Sequence, residues 1–165
     1  MEEAVLKLLE VSMWSGIAAV GFGILFNIPR KTILTVFFLG FAAGLVKFLL
    51  IDFKVNIVLS SLIAASFVGI LSSPLAHKVH HPPVVFSIPP IIPMIPGYYA
   101  YETMLSIMNF TFMEKGNPQR VELIESIFFN GFTMLFILIS ITIGVSLPLL
   151  LSRKETVKKS LEDNS

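Results

Sequence analysis

Cysteine is absent from this chain, which excludes disulfides, thiol nucleophiles and thiolate metal sites at once. Charge is scarce too: 14% of the 165 residues are Asp, Glu, Lys or Arg, against about a quarter in a soluble domain. There is no G-x-x-x-x-G-K-[ST] phosphate loop, no HExxH motif and no nucleophile–base pair. Nucleotide hydrolysis and zinc-peptidase chemistry therefore have no residues to carry them, and no enzymatic activity, catalytic residue, cofactor or resident metal is expected. A formal net charge of +1 gives no basic surface for nucleic acid.

What remains is apolar. Hydrophobic residues make up 55% of the chain, mean hydropathy is +0.83, and the charges gather in short patches between long apolar runs. That arrangement describes an all-α, polytopic membrane protein. The start, Met1-Glu2-Glu3, is acidic where a cleaved signal needs basic residues, so the first apolar stretch is read as a membrane helix.

Five transmembrane helices are expected, since about 20 apolar residues cross a bilayer. They run roughly Val11–Ile28, Ile33–Ile51, Val55–Leu75, Val84–Phe112 and Ile124–Leu151. Residues 1–152 form this membrane module, and 153–165 are read as a disordered, basic cytoplasmic tail. With an odd number of crossings the termini lie on opposite sides. Lys7, Lys54, Lys115 and Arg120 fall on one side; Arg30, Lys31, Lys78, Arg153, Lys154, Lys158 and Lys159 fall on the other. The positive-inside bias then puts the C-terminus in the cytoplasm and the N-terminus outside.

The fourth span is the unusual one. It contains Pro89, Pro90, Pro93, Pro96 and Gly97, and proline removes a backbone donor and clashes with the preceding turn. Interrupted backbone survives at bilayer depth only where protein buries it or a watery cavity receives it. The segment is therefore a candidate solute pathway, against the plainer reading of a kink patched by neighbouring helices. Gly97 is expected to take a left-handed turn, and a second half-helix then opens with Tyr98-Tyr99-Ala100-Tyr101-Glu102-Thr103. Glu102, a carboxylate within a span, faces either a cavity or the interface. The tyrosines suit either a pathway or an interfacial belt.

On the fifth span Glu122, Ser126, Asn130, Thr133, Ser140 and Gly144 fall on one face. They serve a cavity or interhelical hydrogen bonds, and Asn130 is the first to test. Small-residue ridges mark close helix contacts within the chain or between subunits. They are Ser12, Gly16, Ala19 and Gly23; Gly40 with Gly44; and Ser61, Ala65, Gly69 and Ser73. His77, His80 and His81 have spacing a metal could use but no carboxylate nearby in sequence, so a solvated loop is the simpler reading. Lys47 is expected to snorkel from its span.

Two motifs carry a resemblance. Gly23 through Lys31 at the end of the first helix, which contains Leu25-Phe26-Asn27-Ile28-Pro29, resembles the F-x-x-L-F-N-x-P-[KR] signature of the threonine/serine exporter family. The later run Pro93, Pro96, Gly97 and Tyr101, preceded by Ile92, is similar to that family's proline-glycine-tyrosine motif. The likeness extends over roughly Val11–Leu151 and is to the smaller, C-terminal-type half.

The resemblance implies half of a secondary exporter in the bacterial inner membrane, moving small polar metabolites such as threonine and serine. Its expected partner is a larger subunit carrying the other helices and a cytoplasmic soluble domain. Related two-subunit systems export dicarboxylates such as succinate, and that alternative stands beside a non-transporting scaffold. Asn27 and Pro29 are expected to shape a helix end. The pathway residues are expected to be Pro93, Pro96, Gly97 and Tyr101, with Glu102 beside them and Asn130 opposite. A module with an odd number of spans inverts when repeated in tandem, which agrees with the orientation from the charges.

Overall fold

The computed structural model describes residues 2–79, 81–114 and 116–162, and the side chains of these except 2, 4 and 152–162. Among the described residues it is all helical. The elements are α1 (Glu2–Leu25), α2 (Ile33–Asp52), α3 (Ile57–Val79), α4 (Val84–Ile91), α5 (Gly97–Phe112) and α6 (Gln119–Glu162). Short 3-10 turns lie at Arg30–Thr32 and Ile92–Met94. Four helical stretches are long and apolar enough to cross a membrane: Val5–Leu25, Arg30–Asp52, Ile57–Val79 and Gln119–Leu151. The chain is therefore a polytopic membrane protein.

The expected fourth span is two helices, an 8-residue α4 and a 16-residue α5, each too short to cross alone. Some boundaries move outward, because apolar runs continue as helix into their polar flanks. Thus α1 starts at Glu2 and α3 reaches Val79, past Pro74. Others move inward: α1 ends at Leu25 and α3 begins at Ile57, inside the expected Ile28 and Val55. The backbone of α6 stays helical to Glu162, and residues 163–165 of the expected tail lie outside the described set. His77 sits in the last turn of α3, not in a loop, and its Nδ1 donates to the Ser73 carbonyl at 2.8 Å. His80 lies outside the described residues.

The chain divides into two compact units, residues 1–94 with 140–165, and residues 95–139. In the first, the ends of α1 and α2 show why the sequence stops each helix. Asn27 has φ 54°, and Ile28 N–H reaches back to the Gly23 carbonyl at 3.0 Å, with Asn27 N–H on Ile24 at 2.9 Å. This is a left-handed helix cap, with Pro29 barring continuation. A Cβ on Gly23 would sit 2.6 Å from Ile28 Cδ1, so Gly23, Asn27, Ile28 and Pro29 act together as one stop signal. At the end of α2, Lys54 adopts φ 62° and Val55 N–H returns to Leu50 at 3.0 Å, the same device.

Helices α1 and α2 pack through the small residues read from the sequence. A Cβ on Gly40 would meet Ala19 Cβ at 2.5 Å and the Ser15 carbonyl at 3.0 Å; one on Gly44 would meet Ser15 Oγ at 2.7 Å. The first two ridges thus face each other within one chain. The third ridge, on α3, packs against the end of α6: Gly69 faces the Val145 carbonyl and Pro148, while Gly144 faces the Leu62 carbonyl and Ala65. Backbones approach this closely only where no side chain intervenes, and lipid supplies no hydrophobic drive to replace that contact. Ala19, Val36, Leu39, Ala76 and Phe86 form a buried apolar cluster.

The second unit is the hairpin of α5 and the first part of α6. Asn117 Oδ1 accepts the Gln119 N–H at 3.0 Å and caps α6, with Pro118 leading in. Arg120 donates to the Met113 carbonyl at 2.8 Å and stacks over Phe110 at 4.0 Å. The guanidinium thereby closes the C-terminal end of α5, where carbonyls are left without partners.

The α1–α2 contact is the easiest to disturb. Gly40→Ala is expected to lower stability by about 1–3 kcal/mol through overpacking against Ala19 and Ser15, read as a lower unfolding midpoint in detergent. Gly21→Ala, where a Cβ meets nothing within 4 Å, is expected to leave that midpoint in place.

Candidate functional site

The break follows from which donors proline removes. Pro89, Pro90, Pro93 and Pro96 cannot donate to the carbonyls four residues before them, those of Val85, Phe86, Pro89 and Ile92. The helix tightens into a 3-10 turn at Ile92–Met94 and stops. Pro96 then takes φ −79° and ψ 64°, and Gly97 N–H donates to the Ile95 carbonyl at 2.8 Å. That is an inverse γ-turn. Gly97 is not left-handed as expected, since Gly116 is the positive-φ glycine among the described residues. The proline ring makes the turn, and the glycine only opens α5. Its first helical bond runs from Ala100 N–H to the Pro96 carbonyl at 3.1 Å.

Met94 is left with a carbonyl that no following residue reaches. Lys47 supplies the donor: its Nζ lies 3.0 Å from Met94 O, 47 residues away in sequence. Lys47 is 7% exposed, so the expected snorkelling is overturned. The side chain turns inward because a buried, orphaned carbonyl costs roughly 1–3 kcal/mol, and the ammonium can cover it. Hydropathy alone could not reveal this residue. The available signal was a cation in an apolar span of a chain whose fourth span is broken by prolines.

The other candidates occupy different settings. Pro96 is buried, Pro93 and Glu102 are half-buried, and Gly97 is exposed. Tyr101 is 63% exposed, so α5 presents it on an uncovered face rather than inward. Asn130 belongs to an interhelical network: its Nδ2 donates to Ser126 Oγ at 3.1 Å, and Ser106 Oγ stands 3.1 Å from the same oxygen. Of the polar stripe, Glu122 and Ser126 reach an open pocket of about 560 Å³ that Asn109 and Gln119 also line. Gly144, by contrast, is packed against α3. The structure brings Asn130 and Ser126 together and seats Lys47 on the break. Among the described residues no group of three or more His, Asp or Glu gathers as a metal site would require.

The chain can be set beside known sequences. Residues 12–151 match the family described as Threonine/Serine exporter, ThrE. The chain belongs to that exporter family. It is also similar to a protein of Haemophilus influenzae described only as uncharacterized, 34% identical over 146 residues. That alignment covers 88% of this chain and 48% of the relative, so the chain spans about half the relative's length. No solved structure matches it. Membership makes the chain a multi-pass membrane protein of a transport family, and both exporter motifs now have physical roles. The first ends α1, and the second makes the γ-turn at Pro96.

Ser126→Ala should strip Ser106 and Asn130 of their shared partner. A loss of about 0.5–2 kcal/mol is expected for such a membrane hydrogen-bond network, measured by unfolding in detergent. Ser126→Thr, which keeps the hydroxyl, should recover most of it.

Proposed function

We propose that this chain is one half of a secondary exporter that carries small polar metabolites, threonine- and serine-type amino acids first, out across the bacterial inner membrane. The observation that carries the reading is the interruption at residues 92–97, whose released Met94 carbonyl is held by a buried lysine, in a chain of an exporter family. Interrupted helices place polar backbone where a solute can use it. Pro93, Pro96 and Gly97 shape the pathway, Tyr101 and Glu102 line it at the start of α5, and Asn130 contributes through its network.

The other half of the pathway comes from a larger partner subunit with its own helices and a cytoplasmic soluble domain. Support for a partner comes from α5, which leaves Tyr98, Tyr101, Met104 and Met108 exposed, each by at least 50%. A wall with an open tyrosine–methionine face suits completion by another helix. The broken segment serves as a fifth crossing, with the N-terminus outside and the C-terminus in the cytoplasm.

Efflux of threonine, serine and succinate from cells making this chain with and without its partner tests the division of labour. Export is expected only with both, and equal efflux from the chain alone would remove the half-transporter reading. Succinate efflux without amino-acid efflux would move the substrate to dicarboxylates. The double change Pro96→Ala and Gly97→Ala lets the helix run on, and is expected to reduce efflux at least about 10-fold while protein remains in the membrane. Reporter fusions should read cytoplasmic after Leu151 and external before Val5, and the reverse pattern would invert the proposed topology.

A further inference from the structure

We infer that Lys47 is the recognition group for a carboxylate on the transported solute. The inference rests on the transport reading above and names a chemistry which that reading leaves open. An ammonium has three N–H donors. In the structure one is given to the Met94 carbonyl, and among the described residues no carboxylate forms an ion pair with Lys47. A main-chain carbonyl satisfies a hydrogen bond but does not neutralise a charge. Ionisable groups buried within a span pair with one another or serve a function, and an unpaired charge in a protein interior is costly. The missing complement is an anion with oxygen acceptors, and a carboxylate on a small metabolite meets both needs.

Two further features bear on that choice. Ser61 stands on α3 at a distance from the α2–α3 turn similar to that of Lys47 on α2, about 6–8 Å along each helix. It is fully buried, and its Oγ has no hydrogen-bond partner. A buried hydroxyl without a partner has a donor to give to an anion. At the same end of α2, a pocket of about 440 Å³ is lined by Lys7, Lys54 and Asp52 together with Phe48 and Ile51. Its charges sum to one positive, which favours anions near the surface.

Lys47 also touches the break itself. A carboxylate that engages the ammonium competes with the Met94 carbonyl for the same donors. Solute occupancy thereby bears directly on the residue that holds the interrupted backbone in place. A lysine that served only as a structural clip would hold the carbonyl and ignore the solute.

The two roles separate in uptake by everted vesicles from cells producing the full chain in its native genetic setting. L-threonine is the labelled probe, and succinate and L-threoninamide are the competitors. For the wild type, unlabelled threonine should compete and threoninamide, which lacks the carboxylate, should not. Competition by succinate as strong as by threonine would extend the site to dicarboxylates. Lys47→Gln should raise the KM for L-threonine roughly 10- to 100-fold, the range for losing a charged hydrogen bond, while Lys47→Arg should stay within about 5-fold. Equal competition by threoninamide in the wild type would overturn the inference without any variant, so a misfolded Lys47→Gln does not shelter it. An unchanged KM with a reduced maximal rate in Lys47→Gln would assign the clip role alone. No threonine or succinate uptake by wild-type vesicles would instead defeat the transport reading.

Discussion

In a bilayer the backbone has no water to fall back on, and each buried carbonyl must find a donor inside protein. The whole arrangement around residues 89–97 answers that demand. Prolines remove donors in succession, the chain tightens to a 3-10 turn, and Pro96 closes an inverse γ-turn that satisfies Ile95. The Met94 carbonyl takes its donor from another helix, the Lys47 ammonium. A buried cation on α2 thereby meets a buried carbonyl in the break.

The close helix contacts make that reach possible. Gly40 and Gly44 let α1 lie almost backbone to backbone on α2, and Gly69 with Gly144 does the same for α3 and the end of α6. Small residues at these places do what a hydrophobic core does in water, since lipid is as apolar as leucine and offers no preference for helix on helix. The large apolar side chains go outward instead. Trp14, Leu34, Phe38, Phe128 and Phe132 are all more than half exposed, a pattern that would be an aggregation hazard in water and is the ordinary exterior of a membrane protein.

Much of this was legible beforehand because it depends on neighbours in sequence. Helix existence follows from apolar runs, and the end of α1 from Asn27 beside Pro29. The three small-residue ridges follow from a four-residue spacing that any helix turns into a face. The two family motifs lie in this local class, which is why they point to the exporter family before any coordinates. Less legible were features that depend on conformation at one peptide. Gly97 looked like the left-handed hinge, yet Pro96 can make the turn within its own permitted φ, so the glycine never needs its freedom. Asn130 could be placed on a polar face, but only the facing helix decides that Ser106 and Ser126 are its company.

Lys47 marks the division most clearly. The sequence by itself determined a membrane protein of helices, the places where they stop, the location of the proline break and the family that shares it. Each of these is a local consequence of hydropathy, proline geometry or helix period. Only the tertiary structure decided that a lysine 47 residues from Met94 turns inward to it, that the glycine ridges meet within one chain, and that Tyr101 faces out. Those outcomes depend on which surfaces pack together, and a side chain chooses between the interface and the interior by what it finds there.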